Sequence, residues 1–385
     1  MCLNKVKHRV LFVLMAVLIT ACNNPASREI LAEEVKPARA EQIAGTHNIY
    51  VATTRERSSR ELEYYGGVRA PKTDFARVNI SVPASHEIGQ IERRKGHVAD
   101  PAKYFTATSI SAYSEPAFAK AVGADIARHD GHALVFVHGY KTSFDAAVYR
   151  MTQIVHDADF KGTPILFSWA SGGKIVDYVY DNNSATAARD ALEGTLRLVA
   201  KHAKRVDIVA HSMGNWVAME ALRQLAIAGD PTLGGKLGDV VLASPDIDVD
   251  VFKAQMRRYG KPQEPFILLL SGDDRALKLS SFLAGERPRV GDYADAADLA
   301  AYGVAVLDLT AVKGDRLGHT KFAANPVVIK LLGAGLNYTG EPLRGEEAIT
   351  ERINQLGRQL GGSLGTAAEI VLTTPISALR VVVGE

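Results

Sequence analysis

The stretch Arg-Val-Asp-Ile-Val-Ala-His-Ser-Met-Gly-Asn-Trp-Val-Ala-Met, residues 205–219, constrains this chain more than any other. An apolar, β-branched run (Val206, Ile208, Val209) stops at Ala210, His211 and Ser212. Val217, Ala221 and Leu225 then follow at four-residue spacing. That change of period predicts a strand, a sharp turn and a helix. A serine on such a turn stands clear of the sheet at the strand's carboxyl end, and the next helix aims its positive N-terminus at the same spot.

The pattern is G-x-S-x-G with Ala210 in place of the first glycine and Gly214 intact. Small residues are needed two before and two after the serine because strand and helix approach closely there, and alanine adds only a methyl. The pentapeptide alone is equally compatible with an ordinary turn in which Ser212 caps the helix. The rest of the chain has to decide.

With 385 residues, 47% of them hydrophobic and 23% charged, the composition is that of a globular chain able to build one large α/β domain with appendages. The first 21 residues read as a targeting segment rather than fold. Lys5, Lys7 and Arg9 precede a short apolar run over 10–19, and Ile-Thr-Ala-Cys ends at Cys22. This resembles a bacterial lipoprotein box, which implies a lipid-anchored Cys22 at the new N-terminus. Asn23 after it points by analogy to the outer membrane of the cell envelope. A membrane anchor with an incidental cysteine is the alternative. Without Lys5, Lys7 and Arg9, the 45 basic residues fall to 42 against 43 acidic ones, a net −1. Nothing in that balance implies a nucleic-acid partner. Cys2 and Cys22 are the only cysteines, so the processed chain is expected to have no disulfide, thiol nucleophile or cysteine metal site.

Residues 22–46 read as the lipidated N-terminus and a tether. The main domain is expected over 47–338 and a C-terminal amphipathic tail over 339–385. Strands are expected at 49–53 and 76–83, with a turn region at Gly66-Gly67 between them, and the charged stretch 92–97 reads as a solvated loop. From residue 133 strands and helices alternate. Strands are predicted at 133–137, 164–167, 239–243, 265–270 and 304–309, besides the serine strand. Helices are predicted at 144–155, at 249–256, and after a cap at Ser184. This alternation implies an α/β fold with a mostly parallel central sheet, helices on both faces, and ligands at the carboxyl ends of the strands.

A serine hydroxyl is a weak nucleophile at neutral pH and needs a base, itself oriented by an acid. On sheets built around such a turn, acid and base follow the serine in the chain. Of eleven histidines only His319 follows Ser212, in Arg-Leu-Gly-His-Thr-Lys-Phe. For the acid, Asp274 directly follows a predicted strand in Ser-Gly-Asp-Asp-Arg. Asp273 is its neighbour and rival, and Asp246 in Ser-Pro-Asp-Ile-Asp is a third candidate that reads better as a turn or helix cap. After the strand at 133–137, His138-Gly139-Tyr140 offers a bend at which a backbone N–H can face the nucleophile. The backbone amides of Tyr140 and Met213 are therefore the expected oxyanion-hole donors.

Six segments now bear comparison with a known group: His-Gly-Tyr with 142–150, Phe-Ser-Trp-Ala-Ser (167–171), Ala-His-Ser-Met-Gly-Asn (210–215), Ser-Pro-Asp-Ile-Asp (244–248), Gly-His-Thr-Lys-Phe, and Asn325-Pro326. Together they resemble one bacterial branch of the α/β hydrolases, a domain of unknown function described as esterase-like. The resemblance spans residues 47–337. It implies the α/β-hydrolase fold, Ser212 as nucleophile, His319 as base and an acid at the Asp274 position. It also accommodates Ala210, since that branch commonly carries Ala-His-Ser-Met-Gly. Lys141 departs from the asparagine that usually follows His-Gly-Tyr, which bears on pocket polarity rather than on the triad.

The expected activity is that of a serine hydrolase cleaving esters, carboxylesterase- or lipase-like, on a small-molecule or lipid substrate; the sequence does not give the acyl-chain length, which an ester series from acetate to palmitate would read. No metal or organic cofactor is implied. A ligand-binding envelope lipoprotein on the same fold, or an acyltransferase or amidase using the same triad, are the competing classes. The sequence leaves the oligomeric state open. The pocket rim is expected from 171–183 and 279–301, with Trp169 either lining the pocket or packed in the core. In the tail, Ile349, Ile353, Leu356 and Leu360 share one helical face and are expected to pack on the domain, with a partner or the membrane as the alternatives.

Overall fold

The computed structural model describes residues 28–337, 368–374 and 378–383. Cys22, the segment before it and the Ile349–Leu360 stripe lie outside the described residues. Among those described, the short strands β1 (Glu34–Val35) and β4 (Val98–Ala99) pair in parallel, and the others form one eleven-stranded sheet. Its members are β2 (Ile43–Arg57), β3 (Tyr65–Pro83), β5 (Thr106–Tyr113), β6 (His132–Val137), β7 (Thr163–Ser168), β8 (Arg205–His211), β9 (Leu237–Ala243), β10 (Phe266–Leu270), β11 (Val304–Asp308), β12 (Ala368–Thr373) and β13 (Ala378–Val383). Their order across the sheet is β13-β12-β11-β10-β9-β8-β6-β7-β2-β3-β5. From β11 to β2 every neighbouring pair is parallel, while β3 with β5, and β12 with β13, add antiparallel strands at the two edges.

The parallel strands are apolar on both faces because helices cover both. In β6, Ala133, Val135 and Val137 point into one core layer and Leu134 and Phe136 into the other. The first layer is closed by the helices Glu115–Arg128, Arg189–Ala200, Gly214–Ile227 and Val249–Tyr259; the second by Phe144–Asp157 and Pro326–Leu336. This is the α/β-hydrolase arrangement. Among the described residues no helix is long and apolar enough to cross a membrane.

Several local readings are corrected. Gly66 and Gly67 lie inside β3 rather than in a turn. A Cβ on Gly67 would sit 3.0 Å from the Ser171 carbonyl oxygen, so glycine serves a close backbone approach there. Ser184 does not start a helix: it lies within Tyr178–Ala187 and its hydroxyl donates to the Tyr180 carbonyl at 2.9 Å. The break between the two helices falls at Ala188. Beyond residue 338 the sheet continues, since β12 pairs with β11 and buries Ile370 and Leu372.

Candidate active site

β11, β10, β9, β8 and β6 are consecutive in the sheet, and each is followed at its carboxyl end by a segment bearing a candidate residue. After β8, Ser212 takes φ 54°, a left-handed conformation costing about 1–3 kcal/mol that persists only where the surroundings enforce it. They do. The Ser212 N–H donates to the Ala243 carbonyl at 3.0 Å, and the Ser212 carbonyl accepts from the Asn215 and Asp246 N–H groups at 3.1 and 3.2 Å. The Asn215 side-chain amide also donates to the carbonyls of Ser212 and Ala243, both at 2.9 Å. Gly214 has no room for a side chain, because a Cβ would fall 2.4 Å from the His138 carbonyl oxygen. Ala210 is fully buried and fits, as expected.

The loop after β6 lies directly against Ser212. A Cβ on Gly139 would be 2.7 Å from the Ser212 Cβ, so glycine is required for this approach. Asp181 shapes the loop. Its carboxylate accepts from the Lys141 N–H at 3.1 Å, the Gly172 N–H at 2.7 Å and the Ser171 hydroxyl at 2.6 Å. Lys141 stands at φ 55°, a conformation that asparagine adopts more readily than lysine. Among the described residues the N–H groups of Tyr140 and Met213, the expected oxyanion donors, form no hydrogen bond.

Arg55, from β2, lies buried beneath this loop, and nothing in its local sequence marked it. Its guanidinium donates to the carbonyls of Thr142 (2.6 Å), Gly66 (3.0 Å) and Ser171 (3.1 Å) and to the Ser168 hydroxyl (2.8 Å). Burial lowers its pKa to about 10, against the pull of Asp181. Its Nη2 also lies 3.3 Å from His138 Nε2, while His138 Nδ1 is 2.9 Å from the Gly139 carbonyl. A ring that donates from Nδ1 and accepts at Nε2 is neutral. Burial, reinforced by the Arg55 charge, accordingly pushes the His138 pKa down to about 3. Trp169 stacks on this ring at 5.1 Å and donates to the His138 carbonyl at 2.7 Å, fully buried; of its two expected roles it has the structural one.

On the other side of Ser212 the structure brings His319 and Asp274 together. His319 Nδ1 donates to Asp274 Oδ2 at 2.7 Å, and Asp274 is fully buried. Gly318, at φ 71°, turns the loop so that the ring can enter. Asp315 ties the loop together by accepting from the N–H groups of Thr320 and Leu317 at 2.9 and 3.2 Å. Burial alone would lower the His319 pKa, but the hydrogen bond and charge of Asp274, with Asp246 and Asp315 behind, hold it above the ordinary value. His211, half-buried beside His319, is pushed by desolvation and the neighbouring His319 well below its own ordinary value and stays neutral, donating from Nε2 to the His319 carbonyl at 3.2 Å.

The rival carboxylates are engaged elsewhere. Asp273 accepts from Lys321 Nζ at 2.7 Å and from the Ser271 hydroxyl at 2.5 Å. Asp246 accepts from Ser280 at 2.5 Å and from Tyr178 at 3.4 Å, and faces the buried Arg289 at 3.4 Å. Nor is it the helix cap, which is Asp248, accepting from the Asp250 and Val251 N–H groups. Ser212 is only 4% exposed, and its hydroxyl forms no hydrogen bond among the described residues.

A cavity of about 890 Å³ opens beside these groups, lined by Gly139, Tyr140, His211 and His319 together with residues from 89–93, 142–150 and 313–326. The segments 171–183 and 279–301, expected to form its rim, do not line it. Helix Tyr178–Ala187 is instead committed to the loop after β6 through Asp181. The charged stretch 92–97 is likewise not simply solvated. Arg94 is buried, donating to the Gly96 carbonyl at 2.6 Å and the Glu29 carbonyl at 2.9 Å, and Arg93 pairs with the buried Asp145 at the cavity wall.

The family model described as "Alpha/beta hydrolase of unknown function (DUF900)" matches residues 114–335. No curated protein matches the sequence. Among solved structures, the Pyrococcus furiosus esterase Pf2001 is similar at 14% identity and a TM-score of 0.22, over 37% of this chain and 63% of that one. The chain thus spans less than two thirds of that esterase. A structure described as FAE is similar at 9% identity and a TM-score of 0.24, over 63% of this chain and 73% of that one. An arylesterase is similar at 12% identity and a TM-score of 0.24, over 68% and 78%. The matched segment begins just before helix Glu115–Arg128 and runs through β6, the Ser212 turn, Asp274 and His319, and on this match the chain belongs to the DUF900 family of α/β hydrolases.

Proposed function

We propose that this α/β hydrolase is a serine esterase of carboxylesterase type, working through an acyl-enzyme on Ser212. The observation that carries the reading is the 2.7 Å bond from His319 Nδ1 to the buried Asp274, at the carboxyl ends of the strands where Ser212 is held in a strained turn. With Nδ1–H committed to Asp274, His319 keeps Nε2 free as the base. Ser212 Oγ attacks the ester carbonyl carbon as its proton passes to His319 Nε2. The tetrahedral oxyanion is held by the Tyr140 and Met213 N–H groups, at the positive end of helix Gly214–Ile227. His319 then gives the proton to the departing alkoxide, and the acyl group stays on Ser212. Water, deprotonated by the same nitrogen, releases the acid by the reverse sequence.

The lipidated Cys22 places the enzyme at the cell envelope in this reading, with an ester or lipid as substrate. Hydrolysis of p-nitrophenyl esters from acetate to palmitate by the chain from residue 23 onward tests it. Turnover that depends on Ser212 supports an esterase, whereas acyl transfer or amide cleavage in preference to ester hydrolysis would replace it with the competing enzyme class.

A further inference from the structure

The cavity beside His319 has a charge that ester cleavage alone does not call for. Four cationic side chains line it, Arg93, Arg150, Lys313 and Arg316, against the single carboxylate of Asp315. That carboxylate is turned into its own loop, one oxygen accepting from the Thr320 N–H and the other from the Leu317 N–H. Arg93 is matched by Asp145.

Arg150, on helix Phe144–Asp157, is different. Its Nη1 donates to the Gln153 side-chain oxygen at 2.7 Å and to the Ala323 carbonyl at 3.2 Å, both uncharged acceptors. Among the described residues it forms no ion pair with a carboxylate, and its Nε and Nη2 form no hydrogen bond. One edge of this partly buried guanidinium is fixed, and the other is open to the cavity, where it is available to a bound group. Its free edge is the planar fork that grips a carboxylate or phosphate through two parallel hydrogen bonds. The side chain is also held in place, since Nη1 bridges its own helix to the segment after His319. Burial lowers its pKa to about 10 against the pull of the nearby Asp157 and Asp315 charges, so it remains a cation at neutral pH. Its charge is felt at His211, next to the nucleophile.

The 89–93 part of the lining is held firmly as well. Asp157, at the end of the same helix, accepts from His86 Nε2 at 2.7 Å and from the Gly89 N–H at 2.8 Å, and His86 Nδ1 meets Glu92 at 2.8 Å. These bonds fasten the 86–93 loop, and Arg93 with it, onto the helix that carries Arg150.

We propose that the substrate is an ester bearing an anionic oxo-acid group, a carboxylate or a phosphate, which docks on the free edge of Arg150 while the ester carbonyl lies at Ser212. Lys313 and Arg316 at the mouth draw the anion in. This rests on the esterase reading for the chemistry but not for the binding, and the two are separable by experiment.

Hydrolysis of p-nitrophenyl hydrogen succinate and p-nitrophenyl butyrate, close in length and differing in charge, is compared for the wild type, Arg150→Gln and Arg150→Lys. Glutarate and glycerol phosphate binding is measured in parallel by calorimetry. Folding of each variant is checked by its thermal transition. The expected result is a kcat/KM at least tenfold higher for the succinate ester in the wild type. Arg150→Gln brings that ratio near one, Arg150→Lys restores part of it, and the preference shrinks with added salt. Glutarate binding tighter than glycerol phosphate binding identifies a carboxylate, and the reverse order a phosphate. Lys313→Ala with Arg316→Ala lowers the ratio without touching the helix, which covers the case in which Arg150→Gln fails to fold. Butyrate hydrolysis with no preference for the succinate ester and no binding of either anion overturns this inference and leaves the esterase standing. Anion binding lost in Arg150→Gln, with no hydrolysis of either ester, supports the anion site and rejects the esterase.

Discussion

Asp274 divides its two carboxylate oxygens between His319 and the start of a helix. Oδ2 accepts from His319 Nδ1 at 2.7 Å, while Oδ1 accepts from the Ala276 and Leu277 N–H groups at 2.9 and 3.0 Å. The cap is worth about 1 kcal/mol of stability by itself. Here it also fixes the direction of the carboxylate, so the imidazole is aimed by the helix Arg275–Leu283 rather than by a free loop.

Asp274→Asn is therefore expected to lower kcat by roughly 1,000- to 10,000-fold, because the amide can present an N–H to Nδ1 and favour the wrong tautomer. Asparagine caps helices nearly as well as aspartate, so the thermal transition moves little. Asp273→Asn loses a pairing with Lys321 away from the ring and should cost less than tenfold; Asp246→Asn leaves the buried Arg289 without its carboxylate, so its loss should show in the thermal transition more than in kcat. Steady-state kinetics on the three variants decide between the carboxylates. A loss in Asp246→Asn or Asp273→Asn with full activity in Asp274→Asn would give the acid's role to another residue.

The pH profile follows from the same pair. A base works only in its neutral form, and Asp274, Asp246 and Asp315 hold the His319 pKa above its ordinary 6.5 despite burial. The rising limb of kcat/KM is thus expected to have its midpoint above pH 6.5, and to move to lower pH in Asp274→Asn as the charge is removed. A limb centred below 6.5 in the wild type would contradict the assignment of His319.

Gly139 is the point at which the loop after β6 touches Ser212, and an added methyl would lie 2.7 Å from the Ser212 Cβ. Gly139→Ala should displace the Tyr140 amide and lower kcat by about 100- to 1,000-fold, the usual loss for one oxyanion donor. Parallel rates of fluorophosphonate labelling and ester hydrolysis check this. Unchanged kcat in a folded variant would remove Tyr140 from the oxyanion site.

Membrane attachment through Cys22 predicts that Cys22→Ser, expressed in a bacterial host, is released by carbonate washing while the wild type stays with the membrane fraction. Retention of the serine variant would reject lipid anchoring.

The central segment could be read from the sequence because its signals are local. The switch of hydrophobic period at Ser212, a single histidine downstream and a carboxylate directly after a strand are each decided by neighbouring residues. The edges and supports are not local. β3 and β5 form by pairing with each other over a long stretch, and β12 is placed only by its contact with β11. Arg55 bonds to Thr142 and Ser171, 87 and 116 residues away, and Arg150 to Ala323, 173 residues away. No period or spacing in the sequence carries such contacts. The Ser184 helix start failed for a related reason, since its hydroxyl bonds back to Tyr180 within a helix where the pattern suggested a cap.

The most direct test of the account is covalent labelling and ester hydrolysis by the folded chain beside its Ser212→Ala variant. The account predicts that a fluorophosphonate labels the wild type at Ser212, that p-nitrophenyl esters are turned over, and that both signals vanish in the variant. Undiminished hydrolysis by Ser212→Ala, or a folded wild type that neither takes the probe nor cleaves any ester, would contradict it.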